Sequence, residues 1–450
     1  MKKTEFAIIG FGKAGKTLAG KFASQGHHVI MIEKDPKMYG GTCINVACIP
    51  TKALVEEASL SNKLGGSFEE KAARFTKAMA NKDVITGKLR DKNYHKLADN
   101  PNIEVLVGEG HFIDDHHVAV GDEVIEAETI IVDTGARPFL PPIPGINSKN
   151  IYVSESLLEL TKLPKRLTIV GGGYIGLEFA SMFLNFGSEV TVIQVEPTFI
   201  GREDEEVAAV VEMDFAKRGL KLIKSAKTLS FEEKGGVVTT NIEVEGKPLA
   251  IQGEVVLVAT GRRPNIDGLD LAKAGVNLTP RGAIAVNEHN QTNVNNIYAA
   301  GDVVGGLQFT YISLDDYRVI VSALTGGPRT NANRGNVPYS VFIDPTLSRL
   351  GLTEKEAREK GYEVVVARLP ANAIPKALIL GQTNGLLKVV IDAKNHEILG
   401  AHLYCVNSHE MINELKMAMD NHIKYEYLRD AIYTHPTMME AYNDLFSNVK

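Results

Sequence analysis

The chain has 450 residues, a formal net charge of −6 and only three cysteines. This length allows two or three domains, and the evenly spread charge excludes an obvious surface for nucleic acid or an anionic membrane. No stretch approaches the roughly 20 apolar residues of a membrane helix, and the first apolar run is too short for a signal peptide. So few cysteines do not form a secreted disulfide scaffold. We therefore expect a cytoplasmic protein.

The N-terminal segment has the pattern of a strand, a glycine-rich turn, a helix and a second strand. The same pattern returns in the middle of the chain. The predicted elements are residues 5–10, 14–25 and 28–33 in the first unit, and residues 167–170, 174–186 and 189–194 in the second. Two such βαβ units predict parallel sheets.

The rest of the chain divides at changes of pattern. Residues 103–132 alternate apolar and polar side chains and predict an antiparallel meander, and the proline-rich residues 137–145 predict a linker. Beyond a loop at 331–338, the pattern predicts further elements, namely strands near 339–343 and 386–392 and helices near 408–421 and 425–431. Domain boundaries are therefore expected near residues 146, 268 and 335.

The first glycine turn matches the dinucleotide-binding fingerprint at Gly10, Gly12 and Gly15. Glycines there allow a tight turn and a close approach of a pyrophosphate to a helix N-terminus. Glu33 ends the second strand, where a carboxylate binds ribose hydroxyls. A literal phosphate-loop match, Gly10 to Gly15-Lys16-Thr17, is the alternative. A nucleotide triphosphatase also needs a metal-binding aspartate and a catalytic base, and no convincing pair is present.

The second glycine turn follows a strand in the same way. Gly171, Gly173 and Gly176 repeat the fingerprint, with Tyr174 and Ile175 between them. Two copies with equal spacing predict two dinucleotide cofactors. The counterpart of Glu33 is Gln194, which does not repel a 2′-phosphate as a glutamate does. The choice between NADH and NADPH stays open.

Cys43 and Cys48 lie five residues apart in a segment flanked by glycines and Pro50. In an ideal helix their Cα atoms would be about 8.7 Å apart, whereas a disulfide needs less than roughly 7 Å. A disulfide between them therefore requires a distorted first turn. Cys405 lies in an apolar run and is expected to be a packed, inert thiol.

Together with further motifs, the cysteine segment resembles the pyridine nucleotide–disulfide oxidoreductases, a family that includes dihydrolipoamide dehydrogenase, glutathione reductase and mercuric reductase. The further motifs are Thr134-Gly135-Ala136, residues 259–264, residues 297–302, and His435-Pro436-Thr437 with Glu440. One departure is Ala47, where the family usually has glycine.

The resemblance implies an α/β fold with two Rossmann-like dinucleotide-binding domains, for FAD and NAD(P)H, and a C-terminal α+β dimerisation domain. The implied domains are an FAD-binding domain in two parts (1–146 and 269–335), an NAD(P)H-binding domain (147–268) and an interface domain (336–450). The implied cofactor-binding residues are Gly10, Gly12, Gly15, Glu33, Gly41, Thr42, Lys52, Thr134, Gly135, Gly171, Gly173, Tyr174, Ile175, Gly176, Gln194, Gly261, Arg262, Gly301 and Asp302.

The resemblance also implies catalytic roles. Cys48 would lie nearest the flavin and Cys43 would meet the substrate, while Lys52 would lie near the flavin and pair with Glu178. His435, oriented by Glu440, would act as general acid–base for Cys43 of the partner subunit. A homodimer would then be required for catalysis. No resident metal site is expected, because the methionines near the C-terminus are better explained as packing residues.

Three further stretches, 305–318, 337–342 and 408–413, resemble the flavoproteins of reactive chlorine resistance, which are associated with hypothiocyanous acid reduction. The implied function is NAD(P)H-dependent reduction of this or a related small oxidant in oxidative-stress defence. The alternatives are reduction of a larger disulfide, such as glutathione disulfide or lipoamide, or of Hg(II) or Cu(II). The chain ends without the C-terminal cysteine pair of mercuric reductases, which weakens the mercury alternative.

Overall fold

The structure is a computed structural model that describes residues 1–449. Lys450, the last residue of the predicted interface domain, lies outside the described residues. The first part contains β1 (Lys2–Ile9), α1 (Lys13–Ser24), β2 (Val29–Glu33), α2 (Thr42–Asn45), α3 (Cys48–Leu64), α4 (Phe68–Ala98), β3 (Ile103–Val107), β4 (Gly110–Phe112), β5 (His117–Val120), β6 (Glu123–Val132) and β7 (Ala136–Pro138).

The middle of the chain carries a second group of strands and helices. It contains β8 (Ile151–Tyr152), α5 (Ser154–Leu157), β9 (Arg166–Val170), α6 (Tyr174–Phe186), β10 (Glu189–Ile193), α7 (Glu205–Lys217), β11 (Lys221–Ile223), β12 (Ala226–Lys234), β13 (Val237–Val244), β14 (Lys247–Gly253), β15 (Val255–Val258), β16 (Arg262–Pro264), β17 (Ile297–Ala299) and α8 (Thr310–Thr325).

The C-terminal part combines strands with short helices. It contains β18 (Tyr339–Val341), β19 (Leu347–Gly351), α9 (Glu354–Glu359), β20 (Val364–Pro370), α10 (Pro375–Leu380), β21 (Leu386–Asp392), β22 (Ile398–Tyr404), α11 (Ser408–Asp420), α12 (Tyr425–Asp430) and α13 (Ala441–Ser447). No helix within residues 1–449 is long and apolar enough to cross a membrane.

The first sheet has the strand order β3-β2-β1-β6, with parallel pairing throughout. The first half of β6 pairs antiparallel with β5, and its last residues pair parallel with β17. The chain therefore returns to its first sheet after the second one is complete, which links residues 297–299 to the N-terminal part.

The predicted meander at residues 103–132 was wrong in part. β4, β5 and β6 do form antiparallel pairs, but β3 pairs parallel with β2 at the edge of the sheet. An edge strand has one face half-exposed, and this produces the same alternation as a meander strand. The sequence therefore did not distinguish the two arrangements.

The second sheet repeats the parallel order as β11-β10-β9-β15-β8. An antiparallel sheet, β12-β13-β14, is inserted between β11 and β15, and β7 pairs with β16 where the chain crosses between the first two parts. The C-terminal part is an antiparallel sheet of order β18-β19-β22-β21-β20 packed against helices.

All three parts meet in one buried hydrophobic core. Phe75 of α4 and Phe183 of α6 pack with ring centroids 5.8 Å apart, and Leu347 and Tyr404 of the C-terminal sheet join the same cluster. Burial of this apolar surface fixes the three parts against one another. The candidate site lies in the cleft between them.

Candidate active site

A continuous cleft of about 2110 Å³ lies between the three parts of the molecule. Gly12 of the first glycine turn, the two cysteines, and Lys52 with Glu178 all line it. The cleft therefore joins regions that are more than a hundred residues apart in the sequence.

The first glycine turn is packed too tightly for any side chain. Gly10 has φ +105°, and a Cβ there would overlap the backbone of Asp133. A Cβ at Gly12 would come within 2.5 Å of Asp133 Oδ2, and the Gly15 N–H donates to that same oxygen at 2.7 Å. Glu33 accepts a hydrogen bond from the N–H of Phe11 at 3.0 Å. This arrangement fits a tightly enclosed dinucleotide.

Asp133 is a buried carboxyl that the sequence reasoning missed. Burial raises its pKa well above the usual range, although the Gly15 N–H opposes that effect. Its position supplied a usable signal, because it follows β6 directly and precedes the Thr134-Gly135-Ala136 motif. Its side chain packs against the first glycine turn at Gly12 and Gly15.

The cysteine segment begins against the first glycine turn. Gly41 has φ +82°, and a Cβ there would be 2.8 Å from Gly12 Cα. Lys16, the lysine of the phosphate-loop pattern, donates from Nζ to the Gly40 carbonyl at 2.9 Å. Burial lowers the pKa of Lys16 to about 8. This lysine therefore ties α1 to the cysteine segment.

The helix is interrupted between the two cysteines. Cys43 lies in α2 and Cys48 begins α3, while Val46 (φ −139°, ψ 12°) and Ala47 (φ −140°, ψ −104°) are not helical. This confirms the distorted turn that a disulfide at this spacing requires. Both residues are free thiols in the structure and are partly exposed.

The two thiols have different acidities. The hydrogen bond between them lowers the pKa of Cys48 to about 6 and raises that of Cys43. Thr310 Oγ1 lies 3.6 Å from Cys48 Sγ, and both this hydroxyl and the charge of Lys52 also favour the Cys48 thiolate. The negative charge of the reduced pair is therefore on Cys48.

Lys52 and Glu178 form an ion pair between the first and second parts of the chain. Lys52 Nζ lies 2.7 Å from Glu178 Oε2, and Glu178 Oε1 accepts a hydrogen bond from the N–H of Phe342 at 2.9 Å. Lys52 Nζ also lies 4.7 Å from the centroid of the Phe342 ring. The pair is anchored by all three parts of the molecule.

The second glycine turn is more open at Gly173, although a Cβ at Gly172 or Gly176 would overlap Gln194 or the Gly171 carbonyl. Gly171 has φ +115° and a Cβ there would overlap Ala259, but a Cβ at Gly173 would meet no atom within 4 Å. Gln194 is buried, and its Nε2 donates to the carbonyls of Glu196 at 2.8 Å and Thr198 at 3.1 Å. This amide therefore holds the loop after β10.

The remaining predicted cofactor-binding residues fall into two groups. Those that line the cleft are Thr42, Thr134, Gly135, Tyr174, Ile175, Arg262 and Asp302. Gly176, Gly261 and Gly301 do not line the cleft: Gly176 is in the first turn of α6, and Gly261 and Gly301 have positive φ. Arg262 pairs with Glu155 at 3.6 Å and donates to the Ala136 carbonyl. Burial raises the pKa of Asp302.

His435 and Glu440 are not brought to the thiols of their own chain. His435 Nδ1 lies 2.7 Å from Glu440 Oε2, and this hydrogen bond lowers the pKa of Glu440. The His435 side chain is 70% exposed and does not line the cleft. Within residues 1–449 the structure thus gathers Cys43, Cys48, Lys52 and Glu178 but leaves the imidazole facing outward.

Two family models together match almost the whole chain. The model described as pyridine nucleotide-disulphide oxidoreductase matches residues 4–316, and the dimerisation-domain model of the same family matches residues 337–446. The chain belongs to the pyridine nucleotide–disulfide oxidoreductase family. Its fold is accordingly a pair of dinucleotide-binding domains with a C-terminal dimerisation domain, as the sequence predicted.

Similar proteins are known from several bacteria. The chain is 46% identical to the probable pyridine nucleotide-disulfide oxidoreductase RclA of Escherichia coli K12, with 100% of both chains covered. It is 34% identical to the mercuric reductase of Lysinibacillus sphaericus, covering 97% of this chain and 81% of the relative. The solved structure of the HOCl-induced flavoprotein disulfide reductase RclA from E. coli superposes with a TM-score of 0.93, covering 99% of this chain and 100% of that one. The resemblance to the reactive-chlorine-resistance flavoproteins is thereby confirmed.

Proposed function

We propose that this enzyme uses NAD(P)H and FAD to keep the Cys43–Cys48 pair reduced, and that the pair reduces hypothiocyanous acid or a related small oxidant. The observation that carries the proposal is the interrupted helix at the cleft, where Cys48 is the acidic thiol and Cys43 is its neighbour. Two adjacent thiols of unequal pKa are suited to a sequence of attack and displacement. The relationship to RclA supports the oxidant class.

The residues present fit an FAD in the first glycine turn. Gly12 and Gly41 line the cleft and pack against each other without side chains, so their backbone is open to a pyrophosphate, and Glu33 ends β2. When bound, FAD would supply two-electron transfer between the nicotinamide and the thiols. Thr42, Lys52, Thr134, Gly135 and Asp302 line the same cleft and would hold it. The second glycine turn would bind the nicotinamide dinucleotide.

The thiol chemistry balances with hypothiocyanous acid as the oxidant. Cys43 first gives its proton to a general base, and its thiolate then attacks the sulfur of HOSCN, forming an S–S bond as hydroxide leaves and takes up that proton to become water. The Cys48 thiolate then attacks Cys43 Sγ and releases thiocyanate, so the cysteines become a disulfide and the oxidant gains two electrons. Reduction of that disulfide by NAD(P)H completes the cycle.

We further propose that His435 of the partner subunit exchanges the proton at Cys43. An exposed imidazole, held at Nδ1 by Glu440, is available to a neighbouring subunit but not to its own thiols. A histidine side chain is suited to this transfer, because it can accept and return a proton. The homodimer and the cytoplasmic location stay predictions of the sequence.

The substrate is tested by NADH and NADPH consumption with a panel of oxidants. We expect hypothiocyanous acid to give the highest kcat/KM and Cys43→Ser to abolish turnover. Cys405→Ala is the matched control, because Cys405 is fully buried outside the cleft. A preference for glutathione disulfide, lipoamide, Hg(II) or Cu(II) would overturn the oxidant assignment. The same assay decides between NADH and NADPH.

The acidity of Cys48 is tested by a pH titration of the two-electron-reduced enzyme. A thiolate beside oxidised flavin gives a long-wavelength absorbance, and a pKa of about 6 predicts that this signal persists above pH 6 and disappears below it. Cys48→Ser should abolish the signal at every pH. Loss of the signal only near the ordinary pKa of a thiol would contradict the assignment.

The role of His435 is tested by mixing two inactive variants. Subunits carrying Cys43→Ser and subunits carrying His435→Gln should regain about one quarter of wild-type activity on random exchange, because half of the dimers then contain one complete site. A mixture as inactive as its components would exclude catalysis across the subunits.

A further inference from the structure

Segments that carry the finer resemblance to the reactive-chlorine-resistance flavoproteins converge in the cleft. Phe309, Thr310 and Tyr311 at the start of α8 line the same cleft as the cysteines, as do Tyr339 of β18 and His409 of α11. These segments belong to separate parts of the chain, so only the fold brings them to the thiols.

Thr310, whose hydroxyl lies close to Cys48, has an aromatic residue on each side of it in the sequence. Thr310 Oγ1 lies 3.6 Å from Cys48 Sγ. The rings on either side of it, Phe309 and Tyr311, are nearly parallel, with an interplanar angle of 10° and centroids 5.1 Å apart. Burial raises the pKa of the Tyr311 hydroxyl, and the negative charge of Cys48 adds to the effect. A hydrogen bond of Thr310 also acts to lower the pKa of Cys43, so the two rings are the sequence neighbours of a residue that contacts both thiols.

Both rings are held from outside their own helix. The Tyr311 hydroxyl donates to the Pro338 carbonyl at 2.5 Å. Phe309 stacks on Tyr339 with centroids 5.9 Å apart and an interplanar angle of 15°. The Tyr339 hydroxyl in turn donates to Glu203 Oε1 at 2.7 Å. Moving either ring would break its contact with the C-terminal part of the molecule.

We propose that Phe309 and Tyr311 form a fixed aromatic wall that limits the thiol pair to small oxidants and excludes disulfides with bulky substituents. This inference rests on the proposed function. An oxidant with four heavy atoms, such as HOSCN, approaches a sulfur without displacing a neighbouring ring. A peptide disulfide must place a substituted sulfur in line with the attacking thiolate, and its substituents need the space beside Thr310.

The test compares Tyr311→Ala and Phe309→Ala with the wild-type holoenzyme. For each, kcat/KM is measured with hypothiocyanous acid and with glutathione disulfide. We expect the ratio of glutathione disulfide to hypothiocyanous acid activity to rise by about tenfold or more, the usual effect of reshaping a binding pocket. Leu324→Ala is the matched control, because Leu324 is a large apolar residue on the same helix that does not line the cleft.

Tyr311→Phe separates the ring from its hydroxyl. It removes the hydrogen bond to Pro338 but keeps the aromatic surface and its stacking on Phe309, which should hold the ring in place, so the wild-type ratio should be retained. If the ratio of glutathione disulfide to hypothiocyanous acid activity rose equally in Tyr311→Phe and Tyr311→Ala, the ring would not be the group that excludes large disulfides. That result would overturn the proposal. Flavin content and Tm establish that each variant is folded, and Tyr311→Leu replaces Tyr311→Ala if the latter is unstable.

The outcomes separate this inference from the proposed function. If the wild-type enzyme prefers glutathione disulfide, the proposed oxidant and the wall both fail. If it prefers hypothiocyanous acid and the ratio is unchanged in Tyr311→Ala and Phe309→Ala, the wall alone fails and the proposed function stands.

Discussion

The two glycine turns have the same local pattern but different surroundings. Gly12 in the first turn and Gly173 in the second occupy equivalent positions, with similar φ values of −69° and −74°. A Cβ at Gly12 would be 2.5 Å from a buried carboxylate, whereas a Cβ at Gly173 would meet nothing within 4 Å. The first turn is also covered by the cysteine segment through Gly41.

This difference matches the lifetimes expected of the two ligands. A flavin that remains bound through many turnovers benefits from an enclosed site, because every contact adds to its retention. A nicotinamide dinucleotide must enter and leave in each cycle, so an open turn allows rapid exchange. Under the proposed function, the same fingerprint would serve a permanent and a transient cofactor, and the difference would come from the residues packed around it.

The largest expected effect comes from adding a methyl group to each turn. Gly12→Ala should lose most of its bound flavin, because the new Cβ overlaps the buried Asp133 carboxyl. Gly173→Ala should keep its flavin and change only the KM for NAD(P)H. The ratio of flavin to protein absorbance measures flavin retention in both variants, and steady-state kinetics measure the KM for NAD(P)H. Equal flavin loss in the two variants would remove the distinction between the turns.

The next effect concerns Asp133, whose counterpart at the end of β15 is Ala259. Asp133→Ala leaves the Gly15 N–H without its partner and should lower the free energy of unfolding by about 1–3 kcal/mol. Because burial raises the pKa of this carboxyl, the isosteric and neutral Asp133→Asn should be much less destabilised. Denaturant unfolding of the two variants checks this. If Asp133→Asn were as destabilised as Asp133→Ala, the negative charge of the Asp133 carboxylate would be required for stability.

A smaller effect is expected at Lys16, whose counterpart in the second turn is Leu177. The charge of Lys16 favours the Cys43 thiolate. Lys16→Leu should therefore slow alkylation of Cys43 in the reduced enzyme by roughly two- to threefold below pH 8. The difference should shrink above pH 8, where Lys16 loses its proton. Lys16→Arg is the control that keeps the charge. If it slowed Cys43 alkylation as much as Lys16→Leu, altered packing and not the lost charge would be the cause.

The smallest effect concerns the ends of the second strands, where Glu33 is the last residue of β2 and Gln194 directly follows β10. Gln194→Glu makes the second turn resemble the first, and the added charge repels a 2′-phosphate. The ratio of kcat/KM for NADPH to that for NADH should fall by about threefold. The variant also loses two donors to loop carbonyls, so a Tm measurement accompanies the assay. An increased ratio would contradict this view of the second turn.

Much of the fold was predictable because it depends on short-range patterns. The first helix was expected at 14–25 and is Lys13–Ser24, and the helix of the second unit was expected at 174–186 and is Tyr174–Phe186. Both follow directly from a glycine turn and an apolar strand. The antiparallel β12–β14 insertion and the 31-residue α4 were not predicted, although the capping box of Ser67 and Glu70 marks the start of α4 in the sequence.

The sequence predicted those residues of the candidate site that belong to a short motif. The cysteine pair and the glycine turns are local in sequence, and so is the Glu440 partner of His435. Asp133, Tyr311 and Tyr339 were not assigned a role, because their importance comes from neighbours far away in the chain. Asp133 contacts Gly15, 118 residues earlier, and Tyr311 contacts Pro338 of the C-terminal part.

The sequence by itself determined the family, the two dinucleotide fingerprints and the position of the cysteine pair, because short motifs carry each of them. Only the tertiary structure decided how closely each turn is packed, which neighbouring groups favour the Cys48 thiolate and which rings adjoin Thr310. Those properties depend on burial and on distances between remote segments, and they exist only once the three parts have packed around the cleft.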